Sequence, residues 1–153
     1  MDTKKDNFWN EIVRFTFFAL LIILPIRFFV AQPFIVNGAS MDPAFETGEY
    51  LIVNQLSYHF EDPTRGTVVI FKYPKDESKY FIKRIIGLPE ETVQIRGTQV
   101  TIFNKEHPES SGGLVLDEPY ISDVNQKEDM MRITLGKDEY FVMGDNRRQS
   151  SDS

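Results

Sequence analysis

The stretch TVVIFKYPKDESKYFIKRII, residues 67–86, decides the fold. Its two ends, TVVIFKY (67–73) and YFIKRII (80–86), are dense in Val, Ile, Phe and Tyr, and a charged turn with Pro74 separates them. That composition favours antiparallel strands over helix. In YFIKRII a period of two puts Lys83 on one face with Phe81 and Ile85, and Arg84 on the other with Ile82 and Ile86. A lysine between Phe and Ile is costly to bury unless it is neutral or paired. The alternative is a lysine on an edge strand that blocks aggregation. Lys72, Lys75 and Lys79, around the charged turn, read as solvated.

Outward from this stretch the same texture recurs. FIV (34–36), YLIVN (50–54), TVQI (92–95), QVTIF (99–103), RITL (132–135) and EYFVM (139–143) are short β-rich runs. Turn signals such as Thr47-Gly48, Arg65-Gly66, Leu88-Pro89 and Arg96-Gly97 punctuate them. The spacing predicts a mainly β domain of antiparallel sheet over residues 32–153. Residues 104–129 are polar, with Pro108, a Ser-Ser-Gly-Gly run and Pro119. They read as a long functional or disordered excursion with one short strand near Tyr120-Ile121.

The N-terminal 31 residues differ. FTFFALLIILPI (15–26) is bounded by Arg14 and Arg27, and apolar residues continue from Phe8 to Val30. Arginines near a helix end extend their head groups to the interface, so a transmembrane anchor within residues 1–31 is expected. Lys4 and Lys5 ahead of it favour a cytoplasmic N-terminus and a body on the extracytoplasmic face of the cell membrane. A cleaved signal is the rival, but Phe29 stands where cleavage after Ala31 wants a small residue. A buried core helix is the third reading. The chain has 153 residues and a net charge of −6. Four basic and three acidic side chains precede residue 32, so the body is strongly acidic. That argues against nucleic acid as a partner.

Gly38-Ala39-Ser40-Met41-Asp42-Pro43 follows the anchor and one short strand. Small residues before a serine allow close backbone approach and leave an N–H free for an oxyanion. A serine in such a turn is also an ordinary turn residue. Serine needs a base. The two histidines, His59 and His107, lie in polar loop contexts without an acidic orienter, which argues against a Ser-His-Asp triad and against a metal site. Lysine serves if burial lowers its pKa from about 10.4 toward neutrality, and Lys83 is the lysine in apolar company. After EYFVM comes GDNRRQSSDS (144–153), a turn by composition, with acids and hydroxyls suited to orient an amine and pair an arginine.

The boxes NGASMDP, RGTVVIFKYP, YFIKRIIGLP, LDEPYI and GDNRRQSSDS, in this order after an apolar N-terminus, resemble the bacterial type I signal peptidases. The resemblance implies a membrane-bound serine endopeptidase that removes signal peptides from exported preproteins after a small-x-small motif and needs no cofactor. Its fold would be a mainly β catalytic domain with a hydrophobic face on the lipid bilayer. It implies Ser40 as nucleophile and Lys83 as general base. Ser150 would hydrogen-bond the lysine amine, and Arg84, Asp145 and Asp152 would form a charged network. Met41 would pack beside the dyad. Gly38 stands where some members carry a serine, so the oxyanion hole would rest on backbone N–H groups. Glu90-Glu91 replaces the usual Gly-Asp after Leu-Pro. The family continues past Asp-Ser, so the chain reads as truncated at its C-terminus. An inactive membrane-anchored β domain is therefore the alternative. A LexA-like self-cleaving regulator shares the Ser/Lys chemistry, but a DNA-binding helical domain is expected there in place of the apolar segment.

Overall fold

A computed structural model of the chain describes residues 3–27 and 31–150. They fall into two units. The first comprises residues up to 34 and 51–62; the second comprises residues 35–50 and those from 63 onward.

In the first unit, α1 (Thr3–Pro25) carries the apolar run and closes on Pro25. Proline has no N–H to donate and so removes a backbone hydrogen bond from the last α-helical turn; residues 26–27 continue as π-helix. The window Phe8–Pro25 is long and apolar enough to cross a membrane, and its side chains are exposed. At 1.5 Å per residue those 18 residues rise about 27 Å, close to the roughly 30 Å of a hydrocarbon core. Val30 and its two preceding phenylalanines, predicted to extend the span, lie outside the described residues. The short strands β1 (Ala31–Ile35) and β2 (Tyr50–Asn54) pair as a two-stranded sheet.

The second unit holds two antiparallel sheets. One has the order β3-β4-β9, from Val68–Tyr73, Asp76–Gly87 and Phe141–Met143. The other has the order β7-β6-β5-β8, from Leu114–Val115, Gln99–Phe103, Thr92–Gly97 and Asp129–Thr134. The predicted runs at 67–73 and 80–86 are β3 and the second half of β4. Val69 opposes Lys83 and Phe71 opposes Phe81 across this pair. β4 begins earlier than its apolar run, because the turn after Tyr73 is tight and Tyr73 already pairs with Asp76. The short strand of the polar excursion is β7, not the Tyr120-Ile121 stretch. Leu114 pairs with Ile102 and packs on the core with Leu116, whereas Pro119 and Tyr120 lie in a turn.

Ile86, Val93, Ile95, Val100, Ile102, Leu135, Phe141 and Met143 form the core. Gly87 is required there: a β-carbon would approach Val93 to 2.5 Å and Leu135 to 2.8 Å. β4 is covered on both faces over its last residues. Ile86 joins the core, while Lys83 and Ile85 are buried on the opposite face of the strand.

Candidate active site

Ser40 sits half-buried in the turn that follows β1. Gly38 enters this turn at φ +105°, a backbone conformation L side chains rarely adopt, and its N–H donates to Thr47 Oγ1 at 3.1 Å. Glycine at 38, where some members of the resembled family carry serine, therefore suits the local backbone. Met41 is fully buried. The Met41 carbonyl accepts from Phe45 N–H at 3.0 Å, and the Ser40 carbonyl accepts from Asn146 N–H at 3.0 Å. The second of these bonds ties the Ser40 turn to the segment after β9.

β9 pairs with β4 so that Arg84 opposes Met143. In an antiparallel register the residue after Met143 then falls level with Lys83. That residue is Gly144, and a β-carbon there would collide with the Ser40 carbonyl and with the Ser150 side chain. Lys83 is 4% exposed. Its Nζ donates to Ser150 Oγ and lies 5.9 Å from the centre of the Phe81 ring, on the face that the alternation assigned.

Arg84 points the other way. Its Nε and NH2 donate to the two Asp145 oxygens at 2.8 and 2.6 Å, and NH1 donates to the Gly66 carbonyl at 2.8 Å. The Asp145 carboxylate holds the guanidinium pKa above its ordinary value. The Tyr120 ring covers Arg84 at 4.1 Å. Tyr120 donates to Glu118 Oε1 at 2.6 Å, and Arg147 NH2 donates to the same oxygen. Burial first, then this bond, pushes the Tyr120 pKa up.

Ser40, Met41, Lys83, Arg84, Asp145 and Ser150 thus share the second unit, and Lys83 meets Ser150 as Arg84 meets Asp145. Asp152 lies outside the described residues. Glu118, Tyr120 and Arg147 had no individual signal in the sequence, because the residues they meet are distant along the chain. His107 has its N–H on Asn104 Oδ1 at 2.8 Å in a turn before Pro108. Among the described residues no group of three or more His, Asp or Glu side chains is placed to hold a metal ion.

Residues 9–153 match the family described as "Signal peptidase, peptidase S26". Signal peptidase I P of Bacillus subtilis subsp. natto is 33% identical over 150 residues, covering 98% of this chain and 80% of that protein. Signal peptidase I of Bacillus licheniformis is 33% identical over 99% of this chain and 81% of its own length. Signal peptidase I T of Bacillus subtilis is 36% identical over 98% of this chain and 77% of its own. A signal peptidase I crystal structure from Enterococcus faecalis aligns with 61% of this chain and 85% of its own, at 28% identity and a TM-score of 0.48. By class, then, the protein is a serine peptidase, a hydrolase. The chain belongs to the signal peptidase family, peptidase S26.

Proposed function

We propose that this protein removes N-terminal signal peptides from exported preproteins, cutting after a small-x-small motif with Ser40 as nucleophile and Lys83 as general base. The observation that carries the reading is the Lys83–Ser150 hydrogen bond made by a lysine that is 4% exposed, on the strand level with the glycine abutting the Ser40 carbonyl. At a pKa of about 10.4 only about one amine in a few thousand is neutral at pH 7. Burial to 4% exposure disfavours the ammonium form. A lysine without its proton can then do what histidine does in other serine peptidases.

The steps follow from that assignment. Lys83 takes the Ser40 Oγ proton as Oγ attacks the scissile carbonyl. Backbone N–H groups, chiefly that of Ser40, hold the oxyanion. Collapse of the tetrahedral intermediate breaks the peptide bond, and the lysine passes its proton to the leaving amine. Water, deprotonated by the same amine, then hydrolyses the Ser40 ester and restores the serine. Ser150 orients the amine, the Arg84–Asp145 pair with Asp152 supports the turn that carries it, and Met41 packs beneath the nucleophile.

In this reading α1 anchors the protein in the bilayer with its N-terminus cytoplasmic and residues 32–153 outside the cytoplasm. The basic start and the exposed apolar helix support it. The test of function is cleavage of a preprotein in detergent micelles. Ser40→Ala should abolish turnover and leave the fold intact, and Lys83→Arg should also abolish turnover, because arginine cannot give up its proton. Wild-type turnover in either variant removes that residue from the mechanism. For topology, protease added outside intact cells should digest the body, and full protection would overturn the orientation.

A further inference from the structure

The segment from Glu118 to Asn125, part of the polar excursion, makes polar contacts with both turns of the candidate site. On one side Asn125 is 8% exposed and its Nδ2 donates to the Asp42 carbonyl at 2.8 Å, two residues past Ser40. On the other side Glu118 and Arg147 form an ion pair whose side chains are 9% and 6% exposed. Arg147 Nε also donates to the Gly144 carbonyl at 3.0 Å. Tyr120 joins Glu118 to Arg84 by donating its hydroxyl to the first and laying its ring on the second. Arg148 NH1 reaches the Val124 carbonyl at 3.3 Å.

A buried ion pair is a poor source of stability, because desolvation cancels most of its attraction. What it supplies is direction. Here the directed bonds end on backbone oxygens of the turn that bears Ser40 and of the turn that leads to Ser150. We infer that Glu118–Asn125 is a positioning clamp, with Glu118 as its central residue, that sets the spacing between these two turns and so aligns Ser40 with Lys83. Glu118 and Asn125 are positioning residues, acting through Arg147 and through the Asp42 carbonyl. The inference rests on the Ser40/Lys83 assignment.

The experiment measures kcat and KM on a preprotein-derived peptide with the full chain in micelles. The thermal midpoint and the fraction of Ser40 that accepts an acylating reagent are recorded alongside. A misplacement near 1 Å costs on the order of a hundredfold in rate. Glu118→Ala should lower kcat per acylatable site by about ten- to a hundredfold with KM within about twofold. Glu118→Gln, which keeps an acceptor oxygen for Tyr120 and Arg147, should recover most of that loss. Asn125→Ala should reproduce the kcat defect from the opposite turn, and it stands as an independent test where Glu118→Ala fails to fold. Wild-type kcat per site in these variants, or a loss that only follows the folded fraction, overturns the clamp. Lys83→Met separates the two levels. If it is inactive while the clamp variants are normal, the clamp alone fails. If it cleaves at the wild-type rate, the dyad assignment fails and the clamp with it.

Discussion

Gly144 lies so close to Ser150 that a β-carbon at position 144 would come within 2.7 Å of the Ser150 β-carbon. The same β-carbon would also strike the Ser40 carbonyl. One glycine therefore separates the Ser40 backbone from the hydroxyl that receives the lysine amine.

Gly144→Ala should push these two serines apart. Both obstacles belong to segments held by hydrogen bonds, Ser40 by Asn146 and Ser150 by Lys83, so neither yields cheaply. Overpacking of this kind costs about 1–3 kcal/mol of stability, and the displacement should lower kcat by about a hundredfold. Preprotein cleavage together with a thermal melt checks both. A variant with wild-type kcat would show that the turn absorbs a methyl group without moving the serines.

Glu91 should give the fold part of its sensitivity to acid. Burial alone would raise its pKa, but the Arg65 fork, Asn104 and the Leu88 N–H outweigh burial and hold the carboxyl below its ordinary 4.5. Arg65 NH2 lies 2.7 Å from both oxygens, and the Glu91 side chain is 7% exposed. Because the folded-state pKa is depressed, the stabilisation is fully present above the unfolded value and fades as pH falls through the folded one. Glu91→Gln should cost about 3–5 kcal/mol at pH 7, since it leaves Arg65 without its charged partner. The gap between variant and wild type should narrow, by at most about 1.4 kcal/mol per pH unit, as pH drops below about 4. Thermal melts from pH 7 to 3 measure this, and a gap independent of pH would contradict it.

Glu90→Gly should stabilise the protein. Glu90 is exposed and holds φ +65°, while its N–H donates to the Gly136 carbonyl at 3.1 Å. A left-handed residue with a β-carbon costs about 1–2 kcal/mol. Glycine returns about 0.4–1 kcal/mol of that through the freedom it adds to the unfolded chain. The difference favours glycine by up to about 1.6 kcal/mol, at about 2–4 °C in Tm per kcal/mol for a chain of this size. An unchanged or lower Tm would mean that the turn relaxes to accept glutamate without strain.

Much of this architecture was legible because it is periodic. Alternation in YFIKRII placed Lys83 with Phe81 and set Arg84 on the other face, and the buried Lys83 and the paired Arg84 lie as that pattern requires. Periodicity has no hold on residues 104–129. There the strand fell at Leu114-Val115 because Leu114 and Leu116 reach the core, a preference that no local alternation carries. Tyr120 has a strand former's composition, yet its position is set by Arg84, distant along the chain. Glu118 and Arg147 lie 29 residues apart along the chain, and only the fold brings them together.

β4 also bears on how this gene can change. Lys83 and Arg84 are adjacent basic side chains serving opposite surfaces, one meeting a hydroxyl and the other a carboxylate. Shifting the strand by one residue would exchange them and present a permanently charged guanidinium to the serines. Gly87, packed where no β-carbon fits, pins the strand a few residues beyond and resists such a slip. Single-codon insertions or deletions between the codons for Phe81 and Gly87 should therefore be purged as null alleles, while the turn around Lys75 should tolerate length variation among natural relatives.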